Sequence, residues 1–140
     1  MKAADLTFAL HPRLAADTAF VADWGLSRVL LMDDARYPWA VLVPRRADVT
    51  ELFDLDAQDR AALTEEVAHA ARVLKAMSAA AKINIGALGN LVPQLHVHIV
   101  ARNEGDAAWP GPVWGRGAAV RYEPARRDAL VEELRARLVT

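Results

Sequence analysis

The chain has 140 residues, 54% of them hydrophobic and 25% charged, which predicts one soluble globular domain (1–140) with a core of its own. A net charge of −1 offers no broad basic field for nucleic acid or an anionic membrane surface. The absence of cysteine excludes disulfides and thiolate metal sites, no apolar run reaches the roughly 18 to 20 residues of a membrane span, and "MKAADLTFALHPR" lacks a cleavable signal pattern. A cytoplasmic protein is expected.

In chain order, TAFVADWG (18–25) and SRVLLM (27–32) read as two strands around a glycine-containing break. The turn cluster DDARYP leads into a third strand, WAVLVPRR (39–46), which Pro44 brings to an end. Asp56 is suited to cap a helix, with Asp59 placed to complement its dipole. From there Leu63, Val67, Ala70, Leu74 and Met77 recur at 4-3-4-3 spacing, predicting a helix of roughly 20 residues with one apolar stripe. KINIGAL (82–88) is a fourth strand, GNLVP a loop and QLHVHIVAR (94–102) a fifth strand. A last helix over 125–138 carries Leu130, Leu134 and Leu138. Strands, helix, strands, helix is the order of an α+β fold, an antiparallel sheet of about five strands with the long helix packed on one face and a C-terminal helix.

The fifth strand holds two imidazoles in three residues. Alternation places Gln94, His96 and His98 on one face, about 7 Å apart, and Leu95, Val97 and Ile99 on the other, toward the long helix. Three readings fit the pair. They are core histidines satisfied by neighbours, two ligands of a metal, or a catalytic pair. Metal binding needs at least a third protein ligand, and the remaining histidines are poorly suited to supply it. His69 reads as a surface residue on the helix, and His11 precedes Pro12 near the terminus. Nucleophilic catalysis needs an imidazole held neutral at the attacking nitrogen, with a neighbour that stabilises charge or moves a proton.

QLHVHIV, with RVLLMDDARYPWAVLVPRR upstream and INIGALGN between, resembles the histidine triad (HIT) family motif and its ordered context over roughly 29–102. The remaining tail, 103–140, lies outside that shared core but is similar to tails in a bacterial branch of the family. The resemblance implies a HIT-like fold, a homodimer, and a nucleotide substrate attacked at its α-phosphate without a metal or other cofactor. The nucleophile would fall on His96, and His98 would bond phosphate oxygens and assist proton transfer. Gln94 stands at the first motif histidine, where an amide can orient a neighbour but cannot carry charge. Trp39 stands about where many members carry another histidine. Asn90 and Asn84 would contact phosphates, Asp33 or its neighbour the ribose, and Val29 and Leu31 the base.

Other features carry alternatives. Arg45 and Arg46 are either a phosphate patch or solvated strand-end charges, and Arg102 is a candidate phosphate partner. AWPGPVWGRG (108–117) is either a loop packed over the sheet or a lid, with Trp114 as the substrate-facing surface. The implied function is hydrolysis or nucleotidyl transfer on a purine nucleotide conjugate, a dinucleoside polyphosphate or a nucleoside phosphoramidate. The alternatives are a nucleotide-binding module with little turnover, motivated by Gln94 and Trp39, and a metal-dependent enzyme. Nucleic acid is not expected as a ligand.

Overall fold

The computed structural model describes residues 5–139, so Met1 to Ala4, part of the N-terminal stretch read above, lie outside the described residues. Five antiparallel strands form one sheet in the order β1-β2-β3-β5-β4. They are β1 (Thr18–Asp23), β2 (Ser27–Met32), β3 (Trp39–Pro44), β4 (Lys82–Gly86) and β5 (Val97–Arg102). The helices are α1 (Pro12–Asp17), α2 (Ala57–Ser78) and α3 (Pro124–Leu138), with a 3-10 turn at Leu52–Asp54. The α+β architecture expected from element order is the one observed. Helix α1 and the 3-10 turn, both short, have no counterpart in the reading of periodicity. No helix among the described residues is long and apolar enough to cross a membrane.

Helix α2 begins where its capping chemistry places it: the Asp56 carboxylate accepts from the Asp59 N–H at 2.9 Å. Leu63, Ala70 and Leu74 are buried along its stripe, and Val131, Leu134 and Leu138 are the buried face of α3. These two helices cover one face of the sheet, meeting Val29, Leu31, Ala40, Leu42, Ile99 and Ala101. Leu95 and Val97 extend that face beneath Leu63. His69 is not a free surface residue. Its Nε2 lies 3.0 Å from the Leu138 carbonyl and its ring leans on Trp24, tying α2 to the end of α3.

The opposite face is also covered. Leu30, Val41, Val43 and Val100 pack there with Tyr37 and Trp39 beneath Leu14, Val92, Ala108 and Val113. The cover consists of the N-terminal segment, the loop before β5 and the tail that follows it. Strands β3 and β5 are therefore buried at every position.

The tail is held by an ionic knot. Arg102, 1% exposed, donates to both Asp106 oxygens at 2.7 and 3.0 Å, to the Gly111 carbonyl and to Asn84 Oδ1 at 2.8 Å. Its guanidinium also lies over the Tyr37 and Trp109 rings. The Arg102 bond, followed by backbone N–H donors, holds the Asp106 carboxyl down to about 2. Farther along, Asp33 accepts from Arg121 and the Tyr122 N–H, and Asp34 from Arg36 and the Val120 N–H. Arg36 in turn donates to the Arg116 carbonyl.

Candidate functional site

Register assembles the site. Leu30 pairs with Val41, Val41 with His98 and His98 with Gly86, so these four positions form one row across β2, β3, β5 and β4. The row lies on the face away from α2, as the alternation of β5 predicts. That face is not open to water. His96 and His98 are each 6% exposed, enclosed by the tail and the loop before β5.

A cavity of about 490 Å³ opens beside the two imidazoles. Its inner wall is His96, His98, Trp39, Trp114, Val113 and Val92, and Leu88, Gly89, Asn90 and Leu91 of the loop form one side. Met32, Asp33, Asp34, Arg36 and Arg121 stand on the other side. A concave, largely apolar space with a few polar groups is the usual form of a small-molecule site. Among the described residues no three histidine, cysteine, aspartate or glutamate side chains group so as to hold a metal ion.

The imidazoles are held at one nitrogen each. His96 Nδ1 lies 2.7 Å from the Gln94 carbonyl oxygen, which only accepts, so Nδ1 bears a hydrogen and the neutral ring has its lone pair on Nε2. Trp39 Nε1 donates to His98 Nδ1 at 3.0 Å. The two imidazole rings meet edge to face with centroids 4.8 Å apart, and Trp114 stands edge-on to His98 at 5.6 Å. Burial, and after it the neighbouring His96, pushes His98 down to about 4.

That shift has a sign for stability. An unfolded chain takes up the His98 proton below about 6.5, the native chain only below about 4, so acid favours unfolding across that window. The full penalty, about 3 kcal/mol, is reached below about pH 4, where the carboxylates begin to contribute their own losses. Urea unfolding of wild type and His98→Asn at pH 7 and pH 4 checks it. Wild type is expected to lose up to about 3 kcal/mol more than the variant.

Glycine at 86 makes room for the aromatic wall. A Cβ there would stand 3.0 Å from Trp114 Cη2 and 3.3 Å from Cζ2, so the indole would have to give by a few tenths of an ångström even for alanine, and by more for a larger side chain. Gly86→Val is expected to cost about 1 to 3 kcal/mol and to shift tryptophan emission toward that of a solvated indole. Unchanged emission would mean that Trp114 does not rest on Gly86.

Several expected site residues lie elsewhere. Gln94 does not complete the row: β5 starts at Val97, and the Gln94 side chain turns to the N-terminal segment, accepting from the His11 N–H and donating to the Ala9 carbonyl. Only its backbone carbonyl serves the site, by orienting His96. Val29 and Leu31 face the helices, and Leu30 and Met32 are on the cavity side. Asn84 accepts from Arg102 within the tail anchor, and neither residue lines the cavity. Arg45 bonds the Trp24 and Leu26 carbonyls and Arg46 bonds Asp59, away from the cavity. Asn90, Asp33 and Trp114 do line the cavity, although the Asp33 carboxylate is already bonded to the tail. Asp34, the neighbour of Asp33 in its turn, lines the cavity too, whereas Leu14, Val92 and Gly86 lie outside the motif and only the register and the tail's path bring them in.

A family model described as the HIT domain matches residues 13–105. A histidine triad protein from Bradyrhizobium japonicum is 47% identical, with a TM-score of 0.90 over 94% of this chain and 98% of that one. One from Sinorhizobium meliloti 1021 is also 47% identical, with a TM-score of 0.89 over 95% and 96%. A third, from Marinobacter aquaeolei VT8, is 39% identical, with a TM-score of 0.92 over 94% and 96%. These matches include the tail, which is thus shared with bacterial relatives. A search of curated proteins finds no match.

Proposed function

The chain belongs to the HIT-domain family, and from that premise we propose that it is a nucleotide-processing enzyme with His96 as its nucleophile. The observation that carries this reading is the His96 Nδ1–Gln94 carbonyl bond, which fixes the tautomer whose lone pair is on Nε2, on a buried wall of the cavity. In the proposed reaction Nε2 attacks the α-phosphorus of a purine nucleotide conjugate. The bond from phosphorus to the leaving group breaks, and the leaving group departs with that electron pair and is protonated. Water then attacks the phosphorus and cleaves the phosphorus–nitrogen bond, releasing the nucleoside monophosphate and free His96. His98 and Asn90 are the proposed phosphate contacts, and Trp114 is the proposed aromatic wall for the base or leaving group. A dinucleoside polyphosphate and a nucleoside phosphoramidate both fit this chemistry.

A second reading, a nucleotide-binding module with little turnover, is favoured by one observation. Among the described residues His96 and His98 are the only histidines lining the cavity, with Trp39 beside them and the Gln94 side chain turned away. Hydrolysis of diadenosine polyphosphates and adenosine phosphoramidate, with chelator present, separates the two. Turnover by wild type supports the enzyme, and binding without turnover of either supports the module. A homodimer is part of the proposal, with exposed Ile85, Leu88 and Leu91 beside the β4 edge as the surface for a second copy.

A further inference from the structure

We infer that Trp39 is a positioning residue whose indole N–H fixes His98 as the neutral tautomer with its hydrogen on Nε2. His98 is then a standing hydrogen-bond donor to the cavity and not a source of protons. The inference deepens the proposed function, because it assigns what His98 offers to a phosphate oxygen.

Strand register creates the contact. Trp39 pairs with Val100 and Val41 with His98, so Trp39 and His98 are diagonal neighbours on one face, within reach of an aromatic side chain. Their ring centroids are 5.6 Å apart and the nitrogens 3.0 Å. Indole donates and never accepts, so His98 Nδ1 has to supply the lone pair. A neutral His98 then carries its hydrogen on Nε2, and an imidazolium would set two N–H groups against each other. The indole cannot swing away: Tyr37 stands edge-on at 6.2 Å, Trp114 at 6.5 Å, and Trp39 is buried.

The surroundings supply no charge that would favour an imidazolium. From β4, Gly86 presents no side chain, and from the tail Trp114 is uncharged. From the approach to β5, His96 opposes a second positive charge. The carboxylates that line the same cavity are each paired with an arginine, Asp17 with Arg13 and Arg121, Asp33 with Arg121, and Asp34 with Arg36. The division of labour follows. His96 offers a lone pair at Nε2, His98 offers a hydrogen at Nε2, and a proton for the leaving group has to come from water or from the substrate.

The test is ¹H–¹⁵N correlation of the full chain labelled with ¹⁵N in its histidines and tryptophans, followed from about pH 5 to 8 without nucleotide. The result expected is an unprotonated Nδ1 and a protonated Nε2 on His98 throughout, with scalar coupling across the Trp39 Nε1–His98 Nδ1 bond. In Trp39→Phe, which keeps an aromatic ring but loses the N–H, His98 is expected to bind a proton at least about tenfold more tightly. An Nδ1–H tautomer or an imidazolium at neutral pH in wild type overturns the inference. So does wild-type His98 without the coupling, or a variant that titrates as wild type does. The wild-type spectra decide even if the variant fails to fold. Since no nucleotide is present, this result stands or falls separately from turnover.

Discussion

Replacing His96 by alanine is expected to abolish turnover of any nucleotide conjugate that the wild type hydrolyses, by about three orders of magnitude or more. No other group among the described residues of the cavity can take its place. His98 has its Nδ1 lone pair occupied by Trp39, and no other imidazole among the described residues lines the cavity. Stability is expected to change far less, because alanine removes a side chain with a single hydrogen bond, to the Gln94 carbonyl. A nucleotide is still expected to bind His96→Ala, since the rest of the cavity wall stays in place. Residual activity within tenfold of wild type, measured with chelator, would remove His96 from the chemistry.

The second large effect is structural. Arg102→Met is expected to destabilise the fold by about 3 to 5 kcal/mol, the range for breaking a buried ion pair at one partner. Asp106 would keep its charge, and Asn84 and the Gly111 carbonyl would lose their donor. For a domain of this size the midpoint of thermal unfolding should fall by roughly 10 °C or more. Were Arg102 a phosphate ligand, nucleotide would protect wild type and lose its effect in the variant, with the apo proteins nearly equal in stability. The bonding of Arg102 to the tail argues for the opposite pattern.

What could be read in advance depended on how far each signal extends along the chain. Period-3.6 spacing marked α2 and α3, and alternation in β5 placed His96 and His98 away from the helices, because both are local patterns. Val29 and Leu31, expected at the base, face the helices for a physical reason. Strand β2 is apolar on both faces, since the tail covers the one that the helices leave bare, and a continuous apolar run carries no parity. Gln94 left the row because its amide is bound by residues more than 80 positions away. Leu95 pairs its N–H with the Val49 carbonyl there, in place of a neighbouring strand. The role of Arg102 was hidden likewise, for its partners Asn84 and Gly111 come from β4 and the tail. Trp39 looked like a lost imidazole in the sequence. In the folded chain it is a donor aimed at His98, and only strand register brings the two together.

The account turns on a covalent bond between His96 and a nucleotide, which mass spectrometry can detect. Wild type would be mixed with adenosine phosphoramidate or a diadenosine polyphosphate in chelator, quenched rapidly under conditions that preserve phosphorus–nitrogen bonds, and digested for peptide mapping. The result predicted is an adenylyl group on the peptide containing His96, absent from His96→Ala and lost on longer incubation as water completes the reaction. Turnover of the same substrate with the label on another residue, or with no dependence on His96, would contradict it.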